Sequence, residues 1–133
     1  RLQQYENIIY RNVGVGREAG TAHMDASGVD SANVLSDTGR IAVPIVCLDE
    51  DITEKITFIK MDIEGSELDA IEGAKNHIIQ EKPKLAICTY HNNHHIWEIP
   101  RRIHELRPDY QFYMRYNGSV NGGVASEYVL IAI

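Results

Sequence analysis

The clearest hydrophobic pattern lies in the middle of the chain. Residues 56–62, ITFIKMD, form a nearly continuous apolar run, which is typical of a parallel strand buried on both faces. Beyond this run the apolar residues recur at three- and four-residue spacing: Leu68, Ile71, Ala74 and Ile78. The change of period predicts a helix, which Ser66 and Asp69 would open as a capping box and Lys82-Pro83 would end.

Further strands and a second helix follow. Residues 83–91, PKLAICTYH, predict a second buried strand. Apolar residues then return at helical spacing: Ile96, Ile99, Ile103 and Leu106. Pro100 fits this second helix only near its first turn or at a kink. Residues 110–116 and 127–133 close the chain as strands.

This order of elements predicts an α/β layered fold. From residue 56 onward the order is strand, helix, strand, helix, strand, strand, and strands that alternate with helices form a mainly parallel sheet. The segment between the last two strands is too short for a crossover helix. We therefore expect these two strands to pair antiparallel.

The first half of the chain gives weaker signals. Residues 7–15, NIIYRNVGV, predict a strand, and residues 21–26, TAHMDA, predict a weak one. Residues 41–49, IAVPIVCLD, are rich in β-forming residues. Pro44 has no N–H to donate to a ladder, so this segment is expected to be an edge or bulged strand.

Length and charge restrict the number of domains and the kinds of partner that the chain can have. The chain has 133 residues, enough for a single domain over residues 1–133 with a substantial core. Its formal net charge is −6 and it has no basic stripe, which argues against nucleic acid or an anionic membrane as the main partner. No apolar run approaches the roughly 20 residues of a membrane span. A small-molecule substrate is expected.

The two cysteines indicate a compartment. Cys47 and Cys88 both lie inside apolar runs, where a free cysteine behaves as a small buried hydrophobe. A disulfide framework is not expected, so the default expectation is the reducing cytoplasm.

Polar side chains follow two predicted strands at the points where these strands end. Asp62 and Glu64 come at the end of the first buried strand, and Tyr90 and His91 come at the end of the next. In open α/β sheets, ligands bind beyond the carboxyl ends of the strands. We therefore expect these four side chains to share one ligand-facing rim.

Each of these side chains also has a structural interpretation. Asp62 could cap a turn while Glu64 is solvated, since a carboxylate at a strand end must reach water, a partner or a ligand. His91 could be a general base near neutral pH or a packing residue. Arg115, near the end of its strand, could face the same rim or lie solvated at an edge.

A metal site is not expected. The run HNNHH, residues 91–95, together with Asp62 and Glu64 contains metal-binding residue types. Its histidines do not form the i, i+4 pair on one helix that zinc proteases use.

The chain resembles a known family. The run ITFIKMDIEGSELDAIEGAK, followed by KPKLAICTYH, WEIPRRIHEL, YQFYMRY and EYVLIAI, resembles the C-terminal portion of FkbM-type S-adenosylmethionine-dependent methyltransferases. The upstream runs NIIYRNVGVGREAGTAH and IAVPIVCLDE are also similar to that family, so the resemblance covers nearly the whole chain. The piece KMDIEG carries it most specifically.

The resemblance implies a Rossmann-like class I methyltransferase sheet, mostly parallel with an antiparallel last strand. It assigns the third to seventh strands of that sheet to residues 8–14, 56–62, 85–90, 110–116 and 127–133. The first strand of that fold, its Gly-rich loop and the acidic end of the second strand have no counterpart here. We therefore expect a truncated methyltransferase domain.

The resemblance also implies residue roles and a reaction. It places Asp62 near the reacting methyl group of S-adenosylmethionine and the substrate hydroxyl, with Glu64 beside it, and Asn12 and Val13 near the adenine. His91 would line the substrate side, where Tyr90 and Arg115 are further candidates for substrate contact. The expected reaction is O-methylation of a small or sugar-like acceptor.

A second hypothesis stays open from the sequence. The chain could be a non-catalytic remnant or binding module of the same fold. Such a module could form a homodimer through the sheet edge that the missing strands would have covered, because an exposed edge pairs readily.

Overall fold

The computed structural model describes residues 7–24, 35–36, 41–117 and 127–133. These residues form two four-stranded sheets and four helices. The strands are Gly14–Val15 (β1), Gly20–Met24 (β2), Leu35–Ser36 (β3), Ile41–Val46 (β4), Phe58–Met61 (β5), Lys84–Cys88 (β6), Phe112–Tyr116 (β7) and Tyr128–Ala132 (β8). The helices are Leu48–Asp51 (α1), Glu67–Glu72 (α2), Lys75–Glu81 (α3) and His95–Leu106 (α4). None of these helices has the length and apolar character needed to cross a membrane.

The second sheet carries the candidate site. Its strand order is β5-β6-β8-β7. β5 and β6 are parallel and are connected through α2 and α3, with Met61 opposite Ile87. β8 lies between β6 and β7 and is antiparallel to both, which confirms the predicted pairing of the last two strands. Most of the loop between these strands lies outside the described residues.

The prediction of a mostly parallel sheet is wrong for the pairings that the structure describes. Two pairings, β1 with β4 and β5 with β6, are parallel, and the other four are antiparallel. In the second sheet one reversed strand, β8, makes two of the three pairings antiparallel because it lies between its neighbours. In the first sheet β2 is antiparallel to both β3 and β4, a pairing that needs no crossover helix.

The first sheet corrects two local predictions. The strand predicted over residues 7–15 forms only at Gly14–Val15, the two residues that pair with β4. β4 lies between β1 and β2 and is not an edge strand. However, β1 pairs only with Ile45 and Val46 of β4. Pro44 is therefore paired on one side only, with β2, and its missing N–H costs no hydrogen bond to β1. The polar residues 27–40, which are rich in Gly, Ser and Asp, lie outside the described residues, except for 35–36.

The core lies between the second sheet and helices α2 to α4. Its fully or almost fully buried side chains are Ile71, Ile78, Ile99 and Ile103 from the helices and Leu85, Ile87 and Leu130 from the strands. Because side chains alternate along a strand, Leu85 and Ile87 share the face of β6 that the helices cover. Pro100 lies inside α4, beyond its first turn.

The first predicted helix is interrupted. It forms as α2 and α3, separated by Gly73 and Ala74. The predicted capping box is absent, because the Ser66 side chain makes no capping hydrogen bond and Asp69 instead pairs with Arg17. The predicted end is confirmed, since α3 stops at Glu81 and Lys82 follows in a left-handed conformation.

Candidate functional site

A tight turn positions the two predicted carboxylates. Asp62 follows β5 directly, and the next residues turn the chain into α2. Glu64 and Gly65 both have positive φ, 55° and 102°, and the N–H of Ser66 donates to the carbonyl of Ile63 at 3.2 Å. The left-handed region costs a residue with a side chain about 1–2 kcal/mol, so Glu64 is held there by its surroundings.

The end of β6 reaches the same edge of the sheet. Because β5 and β6 are parallel and in register, Tyr90 and His91 emerge beside Asp62. The Tyr90 hydroxyl donates to Asp62 Oδ1 at 3.1 Å. His91 Nε2 lies 3.4 Å from Asp62 Oδ1 and 3.5 Å from Glu64 Oε2. The structure thus brings together four of the predicted site residues, which we call the rim: Asp62, Glu64, Tyr90 and His91.

A fifth residue, Glu67, contacts His91 of the rim from the start of α2. Its side chain is completely buried at the start of α2. Glu67 Oε1 accepts the N–H of Ile63 at 3.1 Å and lies 2.8 Å from His91 Nδ1. Glu67 was not among the predicted site residues, although the sequence contains a signal for its burial: Glu67 lies four residues before Ile71, on the apolar stripe that continues to Ile78.

The second carboxylate oxygen of Glu67 faces another histidine. His95, the first residue of α4, is 3% exposed, and its Nδ1 lies 3.3 Å from Glu67 Oε2 without hydrogen-bond geometry. His95 was also missed, and it too precedes an apolar stripe at four-residue spacing, through Ile99 and Ile103. We call Glu67, His91 and His95 the acid–histidine cluster.

Opposing effects set the pKa of Asp62. Burial acts to raise it, but the thiol of Cys88, the hydroxyl of Tyr90 and the ammonium of Lys60 outweigh burial and lower the pKa of Asp62. Lys60 Nζ lies 3.5 Å from Asp62 Oδ2. The carboxylate is therefore ionised at neutral pH and is a weak base.

The pKa values of two neighbours of Asp62, Cys88 and Tyr90, shift in the opposite direction. Burial, reinforced by Asp62, raises the pKa of the Cys88 thiol to about 11. The same two causes raise the pKa of Tyr90. Both groups therefore keep their protons at neutral pH, so Tyr90 serves as a donor to Asp62 and Cys88 is a poor nucleophile.

Three predicted residues form no hydrogen bond or ion pair with the rim among the described residues. Arg115 is exposed on β7, which β8 separates from β6. Asn12 and Val13 precede β1 in the first sheet, where Asn12 is exposed and Val13 is half-buried. Across the described part of the chain, no group of three or more His, Cys, Asp or Glu side chains is arranged to hold a metal ion.

Fold and site together define a class of protein. A β5-helix-β6 unit with polar side chains beyond its carboxyl ends is the ligand-binding arrangement of an α/β protein. The chain belongs to the FkbM methyltransferase family, because the methyltransferase FkbM domain matches residues 2–117.

A solved structure supports this membership. The crystal structure of methyltransferase FkbM from Methylobacillus flagellatus KT, at 2.20 Å resolution, is 30% identical in sequence and matches with a TM-score of 0.76. The match covers 99% of this chain and 32% of that chain, so this chain spans about a third of its length. The comparison with curated proteins gives no match.

Proposed function

We propose that this chain forms part of an S-adenosylmethionine-dependent methyltransferase that methylates a hydroxyl oxygen on a small-molecule or sugar-like acceptor. The observation that supports it is the convergence of Asp62, Glu64, Tyr90 and His91 at the carboxyl ends of two parallel strands, in a chain of the FkbM family. Ligands of α/β sheets bind at such a position.

The rim suits a cationic cofactor. The side chains of Asp62 and Glu64 are 39% and 40% exposed, so both carboxylates are open to a ligand. Asp62 is held ionised, which suits the positive sulfonium of S-adenosylmethionine. When bound, the cofactor supplies an electrophilic methyl group whose carbon–sulfur bond breaks as the new oxygen–carbon bond forms. Asn12 and Val13 remain the proposed adenine contacts.

His91 and Asp62 could each act as the base, and His91 is the better candidate. The acceptor hydroxyl must lose its proton as its oxygen is methylated, and a positioned base makes this step about 10²–10⁴-fold faster. Asp62 has a lowered pKa and already accepts the Tyr90 hydroxyl. His91 Nε2 is buried without a hydrogen-bond partner and lies at the rim. The roles of Tyr90 and Arg115 are then acceptor positioning.

Two variants test this function in the longer protein to which the chain corresponds. The assay would follow transfer of a labelled methyl group from S-adenosylmethionine to a panel of sugars and hydroxylated small molecules. We expect Asp62→Asn and His91→Gln each to lower turnover about 100-fold, whereas His104→Gln, an exposed histidine on α4, leaves it unchanged. Full turnover in both rim variants would contradict the proposal.

The cytoplasm is the proposed location. Cys47 and Cys88 are both free and buried, as the sequence analysis predicted. Free thiols are compatible with a reducing compartment.

A second candidate function is a non-catalytic binding or dimerisation module. β5 is a terminal strand of the second sheet in the described part of the chain, and an apolar groove of about 280 Å³ runs along it. Phe58 lines this groove and is 57% exposed. Such an edge favours a homodimer by strand pairing.

Sedimentation of the 133-residue chain tests the dimer. We expect a concentration-dependent dimer that Phe58→Lys disrupts and Ile79→Lys, on an exposed site of α3, does not. A monomer at all concentrations would exclude this second function.

A further inference from the structure

The buried carboxylate of Glu67 is the most informative group outside the predicted site. Burying an ionised carboxylate costs several kcal/mol unless hydrogen-bond donors surround it. Here Glu67 Oε1 contacts two groups, the N–H of Ile63 after β5 and Nδ1 of His91 after β6, while Nδ1 of His95 at the start of α4 lies 3.3 Å from Oε2 without hydrogen-bond geometry. The cluster therefore ties the ends of β5 and β6 to the two helices beside them.

The contact with Glu67 determines the side of His91 that carries a proton. An ionised carboxylate only accepts hydrogen bonds, so with Glu67 ionised the contact at 2.8 Å makes Nδ1 of His91 the donor. A neutral imidazole has a single N–H, which leaves a lone pair on Nε2. We propose that Glu67 is a positioning residue that holds His91 in the Nδ1–H form, so that Nε2 accepts the proton of the acceptor hydroxyl. This role rests on the methyltransferase function proposed above.

The surroundings of Nε2 fit a proton acceptor. Nε2 is buried, has no hydrogen-bond partner, and lies within 3.5 Å of the Asp62 and Glu64 carboxylates, which are also acceptors. When Nε2 carries no proton, there is no hydrogen atom between it and the nearby oxygens of Asp62 and Glu64, so no hydrogen bond joins them. A hydroxyl that enters this space supplies the missing donor. The imidazolium formed when its proton moves to Nε2 is then flanked by carboxylates on both sides.

Other charged and titratable groups face the same imidazole. The Tyr90 ring packs against it with centroids 4.1 Å apart. Lys60 pairs with Asp62 at 3.5 Å, and His95 shares the Glu67 carboxylate. Among these groups, Glu67 alone contacts Nδ1 of His91. Its effect on the tautomer can therefore be separated from the effects of Tyr90, Lys60 and His95.

The tautomer is directly measurable in the chain as it stands. We expect long-range ¹H–¹⁵N correlation spectra at a pH where His91 is neutral to show its proton on Nδ1, with the resonance assigned through His91→Gln. Glu67→Leu removes the oxygen that faces Nδ1, and we expect the proton to move to Nε2, where the Asp62 and Glu64 carboxylates lie within 3.5 Å. Glu72→Gln is the matched control, because it removes a charge from the same helix at an ion pair with Arg102.

The same variants have distinct kinetic effects in the longer protein. We expect Glu67→Leu to lower kcat about 100-fold with KM nearly unchanged, and to shift the acid limb of the pH profile to lower pH, because the imidazolium loses an anionic neighbour. Glu72→Gln should leave kcat, KM and the acid limb of the pH profile unaltered. A purely structural role for Glu67 would lower the amount of folded enzyme without moving the pH profile.

The outcomes separate this inference from the proposed function. A wild-type His91 that carries its proton on Nε2 overturns the positioning role, even if Glu67→Leu does not fold. Methyl transfer in a protein with that tautomer would retain the function and reject the role of Glu67. An Nδ1–H tautomer in a protein that neither binds nor uses S-adenosylmethionine would support the geometry and reject the function.

Discussion

Gly73 shows how much one residue decides in this fold. A Cβ added at Gly73 would lie 2.1 Å from the carbonyl oxygen of Gly16. The Gly73 carbonyl itself accepts the N–H of Asp49 at 2.7 Å and the thiol of Cys47 at 3.3 Å. The absence of a side chain therefore lets the end of β1 pack against the junction of α2 and α3.

We predict that Gly73→Ala is strongly destabilising. The clash is with backbone, which cannot rotate away, so the loss should exceed the roughly 1 kcal/mol of an average substitution. Gly20→Ala is the control, since nothing lies within 4 Å of a Cβ there. Urea unfolding of both variants would measure the difference. Equal midpoints would mean that β1 does not approach Gly73.

At the scale of elements, α3 is anchored to the segment that leads into β5. Glu81 Oε2 accepts the N–H of Ile56 at 2.8 Å and lies 2.9 Å from His77 Nδ1. His77 Nε2 lies 3.1 Å from the carbonyl of Ile52. Both ring nitrogens thus face acceptors, which favours the doubly protonated imidazole. Burial acts against this, but the Glu81 carboxylate outweighs it and raises the pKa of His77 above its ordinary value of 6.5.

This anchor predicts a pH dependence of stability. Because the folded pKa of His77 is raised, its stabilising contribution is complete below about pH 6.5 and is lost as the pH rises through the folded value. The pKa of Glu81 is lowered, so its contribution is present above pH 4.5 and is lost on acidification. We therefore expect the pair to stabilise most between these two values.

His77→Gln tests this prediction. Thermal unfolding of the wild type and the variant should differ most near pH 5.5, and the difference should shrink as the pH rises through the raised pKa of His77. His104→Gln, an exposed histidine on α4, should follow the wild type throughout. A difference that grows with pH would have the wrong sign and would contradict the charged state of His77.

At the scale of the molecule, one core joins the second sheet to three helices. Ile103 of α4 is fully buried in it, together with Ile71 of α2 and Leu130 of β8. Arg102 also binds Glu72 on α2 through both carboxylate oxygens. The helices therefore support the rim through the same packing that holds the strands.

We predict that Ile103→Ala costs about 2–5 kcal/mol of unfolding free energy, because it leaves a cavity in this core. Ile96→Ala, on the same helix but 40% exposed, should change it by less than about 0.5 kcal/mol. Denaturant unfolding followed by circular dichroism compares the two. A small effect at Ile103 would mean that α4 is not part of the cooperative core.

The sequence by itself determined the elements from residue 56 onward. The spacing and the continuity of apolar residues are properties of short stretches of sequence, so they located β5, β6, β7, β8 and α4. The short segment after β7 required the last two strands to pair antiparallel. The break at Gly73 was not readable, because its cause is the Gly16 backbone, distant in sequence. The strand predicted over residues 7–15 formed only where β4 offered a partner.

The site divides in the same way. Strand ends are a property of local sequence, and they placed Asp62, Glu64, Tyr90 and His91 on one edge in advance. Only the tertiary structure showed that the Glu67 carboxylate lies between His91 and His95, and that neighbouring donors lower the pKa of Asp62. Hydrogen bonds and electrostatic interactions between distant segments depend on distances of a few ångströms, and folding alone sets these distances.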